Sequence, residues 1–169
     1  MLSLSSRKTR RPLNSKRPVH LVLRSDLARG KRSLFKNKRL VLQFLRKYSK
    51  MFGVRVYEIA VCGNHLHGVV RCSDRTRLQN FFRVFAGQVA QEILRMHPLQ
   101  RGEEKAFRGG THPKSQKSFW SLLAYTRIVA WGRDFENVIA YVFRNTLETL
   151  KLIEYTRTTR RIFSGIPGA

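Results

Sequence analysis

Two histidines, His65 and His67, are the residues whose types and spacing most directly suggest chemistry. They alternate in the apolar-rich run 65–72 (HLHGVVRC), which is typical of a β-strand. Positions i and i+2 of a strand point to the same face, with Cα atoms about 7 Å apart. The two imidazoles can therefore converge on one cation. They can equally be surface histidines on a half-exposed strand, and this short pattern alone does not decide between the two.

Tyr141 and Asn145 form a second pair of interest. They lie in the run 138–145 (VIAYVFRN), which favours a helix, and residues four apart in a helix share a face. That face offers a phenol and a carboxamide oxygen one turn apart. A tyrosine in an apolar helix is more often a core residue, so the spacing leaves both interpretations open.

The other residues with reactive side chains fit structural roles. Cys62 and Cys72 are the only cysteines, too few for a disulfide scaffold or a four-thiolate zinc site, and we expect both in the core. Tyr125, on a predicted strand, has no amide partner at helical spacing, and Tyr57 alternates with valines as a packing residue would. His20 shares a strand face with Val22 and Arg24 and could approach the site. The two remaining histidines are predicted to be loop residues: His97 and His112.

Seven elements must position these residues, in the predicted order β-α-β-β-α-β-α. The apolar periodicity places strands at 19–24, 54–61, 65–72 and 119–129, and helices at about 33–51, 75–96 and 134–152. Ser73 or Asp74 is the expected cap of the second helix and Asp134 that of the third. Residues 98–117 lack periodicity and predict a loop. This is the α+β, ferredoxin-like split βαβ order (βαββαβ) with one extra C-terminal helix.

The charge of the chain indicates a polyanionic partner, most simply nucleic acid. Lys and Arg total 34 against 10 acids, a net charge of +24, and residues 1–50 hold sixteen of those cations and one acid. We predict a basic arm at 1–17, a domain at 18–152 and a basic tail at 153–169. No apolar run is long enough to span a membrane, and we expect a cytoplasmic, nucleoid-associated protein. The cations predicted to contact the nucleic acid, which the resemblance given below implies is DNA, are Arg10, Arg11, Lys16, Arg17, Arg24, Lys31 and Arg32.

Four segments taken in order resemble a known family. The basic arm, PVHLVLRS, GNHLH and AYVFRN follow one another at the distances found in single-tyrosine HUH transposases of the insertion-sequence-200 type. The resemblance is greatest to their REP-associated tyrosine branch and covers about residues 17–150. Gly63 stands where the family usually has Pro, and Asn145 where several relatives have Gln.

The resemblance implies a specific chemistry. His65, His67 and Asn145 would bind a divalent metal, Mg²⁺ or Mn²⁺, and Tyr141 on the extra helix would be the nucleophile. The enzyme would nick and join single-stranded, hairpin-containing DNA through a covalent 5′-phosphotyrosine. Whether it acts as a monomer or as a homodimer stays open.

Two other classes of protein fit the same residues. One is a nucleic-acid-binding protein, either an inactive descendant of the transposases or an RNA-binding ferredoxin-like domain, although no RNA-recognition signature is found. The other is a metal nuclease that uses water, for which Tyr141 would be dispensable.

Overall fold

The computed structural model describes residues 13–99, 118–121 and 124–154. Within these ranges the chain forms four antiparallel strands in the order β2-β3-β1-β4. The elements are β1 (Val19–Arg24), α1 (Lys38–Phe52), β2 (Arg55–Val61), β3 (His65–Arg71), α2 (Arg75–Met96), β4 (Tyr125–Ile128) and α3 (Arg133–Thr149). A short 3-10 helix, Gly30–Arg32, precedes α1. The predicted α+β, ferredoxin-like order with its extra C-terminal helix is confirmed.

The larger core lies between one face of the sheet and the helices α1 and α2. Helix α2 begins where Asp74 accepts a hydrogen bond from the Arg77 backbone N–H at 2.7 Å, a side-chain cap that satisfies one free N–H of the first turn. Its predicted apolar stripe is fully buried and consists of Leu78, Phe81, Phe82, Phe85, Val89 and Ile93. Leu66 and Val70 of β3 meet this core from the sheet. Alternation along β3 therefore turns His65 and His67 to the opposite face.

Helix α3 covers that opposite face. Val138 and Val142 are buried against Ala60, Val69 and Val129. The two valines lie four residues apart on the helix, so their burial in this smaller core sets which side of α3 meets the sheet. The helices thus lie on both faces of the sheet. Among the described elements, α3 is the one helix on the face that holds the two histidines.

The first helix begins five residues later than the periodicity predicts. The Leu34 N–H and the Ser33 hydroxyl both donate to the Gly63 carbonyl, at 2.8 and 3.1 Å. These bonds hold the segment before α1 on the turn between β2 and β3, so the regular helix begins only at Lys38. The sequence pattern records apolar spacing and does not report this long-range contact.

The fourth strand is shorter than predicted and begins at Tyr125 rather than at residue 119. Phe119 is buried in the larger core, and the Trp120 indole N–H donates to the Ala86 carbonyl of α2 at 2.9 Å. The segment before the strand therefore packs against the larger core without joining the sheet. Its aromatic side chains are common in strands, which is why the sequence pattern predicted a strand there.

The last helix spans Arg133–Thr149, three residues shorter at its end than predicted, and Asp134 is not its cap. Gly132 occupies the N-cap position with φ 85°, a left-handed conformation that glycine adopts without strain. Asp134 lies in the first turn, where its carboxylate accepts from the Ala130 N–H at 2.9 Å and pairs with Arg127. No helix in the described ranges is long and apolar enough to cross a membrane.

Candidate functional site

His65 and His67 lie side by side on the sheet face beneath α3. Their ring centroids are 4.9 Å apart and the ring planes are nearly perpendicular. His67 is buried and His65 is half-buried. The predicted placement on one face is therefore observed, and the sheet converts a two-residue spacing into two adjacent imidazoles.

His20 brings a third imidazole to the same place. It lies on β1 opposite Val69 of β3, two positions along from the Val22–His67 pair, and points to the same face. Its Nε2 is 3.2 Å from Nδ1 of His67, and the two rings stack with centroids 5.5 Å apart. The alternation of His20 with Val22 and Arg24 is the sequence signal for this residue. Only the pairing of β1 with β3 shows that it joins the cluster.

Tyr141 approaches the cluster from α3. Its ring centroid is 5.4 Å from that of His67 and 6.0 Å from that of His20, both in an edge-on arrangement. The side chain is 40% exposed, so one side of the ring contacts the histidines while another part reaches solvent. Tyr141 is therefore accessible from solvent while it contacts the two imidazoles.

Asn145 follows one turn later on the same side of α3. Its Nδ2 donates to the Tyr141 carbonyl at 2.7 Å, which leaves the amide oxygen Oδ1 to act as an acceptor or ligand. The Asn145 carbonyl lies 4.0 Å from the Cys62 sulfur, and the Cys62 N–H donates to the His65 carbonyl. Asn145 thus lies toward the His65 end of β3, as Tyr141 lies toward His67.

Each of the three imidazoles has a lowered pKa, which favours its neutral form. Burial, followed by the neighbouring His65 and His20, lowers the pKa of His67 to about 3. Burial, followed by the positive charge of Arg127, lowers the pKa of His20 to about 4. The pKa of His65 is also lowered, by burial and by Arg24. A neutral imidazole keeps a nitrogen lone pair, which is what a metal ligand needs.

The orientation of His65 is set by its neighbour. Nδ1 of His65 lies 2.8 Å from Oδ1 of Asn64, an oxygen that can only accept. The proton of His65 is therefore on Nδ1, and Nε2 has a free lone pair. Sequence reasoning missed Asn64, although its place directly before the histidine pair is the signal that marks it.

The donor atoms that could hold a divalent cation here are imidazole nitrogens of His65 and His67 and Oδ1 of Asn145. Among the residues described, no three His, Cys, Asp or Glu side chains form a metal-binding group. Two imidazoles and the Asn145 amide oxygen would hold an ion with positions left open for substrate oxygens. Imidazole nitrogen and amide oxygen together suit Mn²⁺ at least as well as Mg²⁺.

Comparison with known families identifies the chain. A family model described as "Transposase IS200 like" matches residues 15–121, more than half of the sequence. This chain belongs to the IS200-like transposase family. The family and the transposase class that the motifs predict are thereby confirmed. The matched segment includes His20, His65 and His67 and ends before α3, so it does not itself include Tyr141 or Asn145.

The fold of this IS200-like transposase is similar to that of a solved structure. A REP-associated tyrosine transposase bound to a REP hairpin superposes with a TM-score of 0.53 at 12% identity, covering 85% of this chain and 74% of the other. A Deinococcus radiodurans protein described as a transposase gives a TM-score of 0.48 at 12% identity, covering 84% and 96%. No curated protein matches the chain significantly.

The cations predicted to contact DNA take several positions in this transposase. Arg24 ends β1 directly across from His65, with its side chain 62% exposed and 3.6 Å from Asp26. Arg32 donates to the Leu27 and Pro98 carbonyls and so helps to hold the loop after β1, in which Lys31 is exposed. Lys16 and Arg17 are exposed beside β4 and α3, where the Lys16 carbonyl accepts from the Trp131 indole. Arg10, Arg11 and most of the predicted loop at 98–117 lie outside the described residues, as do His112 and residues 155–169 of the tail.

The residues predicted to be structural are structural where described. Cys72 is buried on the α1 and α2 side, away from the histidines, and Cys62 is buried under α3, where burial raises the pKa of its thiol. Tyr57 packs edge-on against Trp131 and Phe135. Tyr125 is 48% exposed on β4 and has no ring contact with the histidine cluster.

Proposed function

We propose that this IS200-like transposase cuts and rejoins single-stranded DNA with a divalent cation, using Tyr141 as the nucleophile. The observation that supports this most strongly is the contact of Tyr141 with His67, with ring centroids 5.4 Å apart. A half-exposed phenol beside two neutral imidazoles on a protein with a net charge of +24 suits attack on a phosphodiester.

The cation would be held by Nε2 of His65, Nε2 of His67 and Oδ1 of Asn145. Either Mg²⁺ or Mn²⁺ fits the proposal. When bound, such an ion neutralises a phosphate oxygen and stabilises the charge that develops in the transition state. The protein's own contribution is to orient the two imidazoles through Asn64 and the strand pairing, and to hold the phenol on α3 above them.

The covalent step exchanges one phosphate ester for another and so conserves the energy of the broken phosphodiester bond. The Tyr141 phenol oxygen forms a bond to phosphorus, and the bond from phosphorus to the 3′ oxygen of the preceding nucleotide breaks. The phenol loses its proton and the departing 3′ oxygen gains one, so the products are a 5′-phosphotyrosine and a free 3′-OH. The 3′-OH of another strand can reverse the step, which joins DNA without ATP.

The DNA partner we propose is a single strand that folds into a hairpin. The similar solved structure is described as bound to a REP hairpin, which supports this choice of substrate class. The exposed Arg24 directly across from His65 would meet a phosphate next to the one under attack.

A cleavage assay tests the proposal directly. The full chain is incubated with end-labelled, hairpin-forming oligonucleotides from the DNA that flanks its gene, with Mn²⁺ or with EDTA. A denaturing protein gel then reports covalent adducts. We expect an adduct with Mn²⁺, none with EDTA and none for Tyr141→Phe. Tyr125→Phe is the matched control because Tyr125 is 48% exposed on the same sheet face, paired with Val22, but makes no ring contact with the histidines, and it should form the adduct normally.

The other outcomes assign the protein to the alternative classes. Metal-dependent cleavage without an adduct, unchanged in Tyr141→Phe, would show a nuclease that uses water. Tight hairpin binding without cleavage or adduct would show an inactive, nucleic-acid-binding descendant.

A further inference from the structure

We infer that His20 is a positioning residue that fixes the tautomer of His67 and so directs its Nε2 lone pair toward the cation. This inference rests on the proposed metal site of His65 and His67. It assigns a role to a residue of β1 that neither binds the ion nor touches the substrate.

The geometry leaves two arrangements of one proton between the rings. Nε2 of His20 and Nδ1 of His67 are 3.2 Å apart, so one nitrogen must donate and the other accept. If His20 donates, the proton of neutral His67 is on Nε2, which then has no lone pair for a metal. If His67 donates from Nδ1, its Nε2 is free. Metal binding through Nε2 of His67 therefore requires His20 to be the acceptor.

The same arrangement occurs independently at the neighbouring ligand. Nδ1 of His65 faces Oδ1 of Asn64 at 2.8 Å, and that oxygen is an acceptor only. Each of the two proposed ligands thus has its Nδ1 against a partner from a different part of the chain. Asn64 comes from the turn that precedes β3, and His20 from the adjacent strand β1. Metal-binding histidines usually donate their second ring N–H to such a partner, which fixes the tautomer and the ring orientation.

Because His67 is buried, an N–H at its Nδ1 needs a hydrogen-bond acceptor from the protein. Both His20 and His67 are 6% exposed, so water has little access to the Nδ1 of His67. Without His20, this N–H would be buried with no acceptor and the other tautomer would be favoured. The ring planes of His20 and His67 are 18° apart with centroids 5.5 Å apart, an arrangement that brings Nε2 of His20 to within 3.2 Å of Nδ1 of His67.

Two substitutions separate this role from packing. His20→Leu keeps an apolar side chain of similar size but removes the acceptor, whereas His20→Gln retains an acceptor where the His20 Nε2 lies. Mn²⁺ affinity of the full chain is measured by electron paramagnetic resonance, with circular dichroism to establish folding. We expect His20→Leu to weaken Mn²⁺ binding about 10- to 100-fold. His20→Gln should bind within about 3-fold of wild type, on the same principle.

The tautomer itself is read by nitrogen NMR on the metal-free chain at neutral pH. Long-range ¹H–¹⁵N spectra should show the proton of His67 on Nδ1 in the wild type and in His20→Gln, and on Nε2 in His20→Leu. A wild-type His67 protonated on Nε2 would overturn the inference, as would unchanged Mn²⁺ affinity in His20→Leu. Equal losses in both folded variants would also overturn it and make His20 a ligand. A wild type that binds no Mn²⁺ would instead refute the proposed metal site.

Discussion

Tyr141 and His67 meet edge to face, with ring centroids 5.4 Å apart and ring planes at 88°. They come from distant parts of the sequence, Tyr141 from the last helix and His67 from the centre of the sheet. The contact holds the phenol ring against a buried imidazole while the side chain stays 40% exposed. The tyrosine that we propose as the nucleophile is thus oriented by the fold and remains accessible from solvent.

The buried imidazoles should make the metal-free protein less stable in mild acid. His67 and His20 have folded-state pKa values of about 3 and about 4, below the ordinary value of 6.5. The unfolded chain therefore binds more protons between these values, so stability is full above about pH 6.5 and falls as the pH decreases toward 4. The loss from pH 7 to pH 5 is as much as about 2 kcal/mol for each imidazole.

Urea unfolding in EDTA at several pH values measures this loss. The groups whose charge opposes protonation of these imidazoles are Arg127 of β4, which acts on His20, and His65 and His20, which act on His67. His67→Gln removes one of the two titrating imidazoles and leaves Arg127 beside His20, so it should give a shallower decline than the wild type. A wild-type free energy of unfolding that is constant or rises from pH 7 to pH 5 would contradict the prediction.

Loss of the Asn64 side chain should weaken metal binding. Asn64→Ala removes the acceptor that holds Nδ1–H of His65, and we expect roughly a 10-fold weaker affinity for Mn²⁺. Asn64→Asp keeps an acceptor at the same place and serves as the control, with affinity equal to or above that of wild type. Titration with Mn²⁺ measures both. An unchanged affinity in Asn64→Ala would show that the hydrogen bond does not orient the ligand.

Substitution of Arg24 should reduce the salt dependence of DNA binding. For about eight contacts to single-stranded phosphates, the slope of log K against log salt is near −6, and each contact contributes about −0.7. Arg24→Gln should therefore weaken binding and make the slope shallower by about 0.7. Arg46→Gln is the matched control, because Arg46 is exposed on α1 across the sheet from the histidines. Equal effects of the two substitutions in a fluorescence anisotropy titration would contradict a specific role for Arg24.

Truncation of Phe85 should destabilise the fold strongly. Phe85 is fully buried and stacks on Phe81 with ring centroids 5.6 Å apart. Phe85→Ala leaves a cavity between α2 and the sheet, and we expect a loss of about 3–5 kcal/mol in the free energy of unfolding. Met51→Ala, at a side chain that is 61% exposed, should change it by less than about 0.5 kcal/mol. Chemical denaturation followed by circular dichroism compares the two, and similar losses would show that the core is placed wrongly.

The elements with strong local signals were predicted closely from sequence. Helix α2 has the predicted ends and the predicted buried face, because a side-chain cap at Asp74 and a regular apolar stripe are both local features. The start of α1 and the extent of β4 were not predicted. Hydrogen bonds to the Gly63 carbonyl determine the first, and packing of Phe119 and Trp120 determines the second; in both cases the partners are distant in the sequence.

Within the candidate site, the geometry of a single strand or helix determined which two residues are adjacent, and the tertiary structure determined that the two pairs meet. A strand repeats every two residues and a helix about every four, so the sequence alone placed His65 beside His67 and Tyr141 beside Asn145. It did not say that α3 covers the histidine face, which depends on the burial of Val138 and Val142.

The place of His20 likewise depended on strand order, because β1 lies next to β3 only once the whole sheet has assembled. Neighbours along one element are set by local dihedral angles. Neighbours between elements are set by which apolar surfaces bury one another, and that is a property of the complete fold.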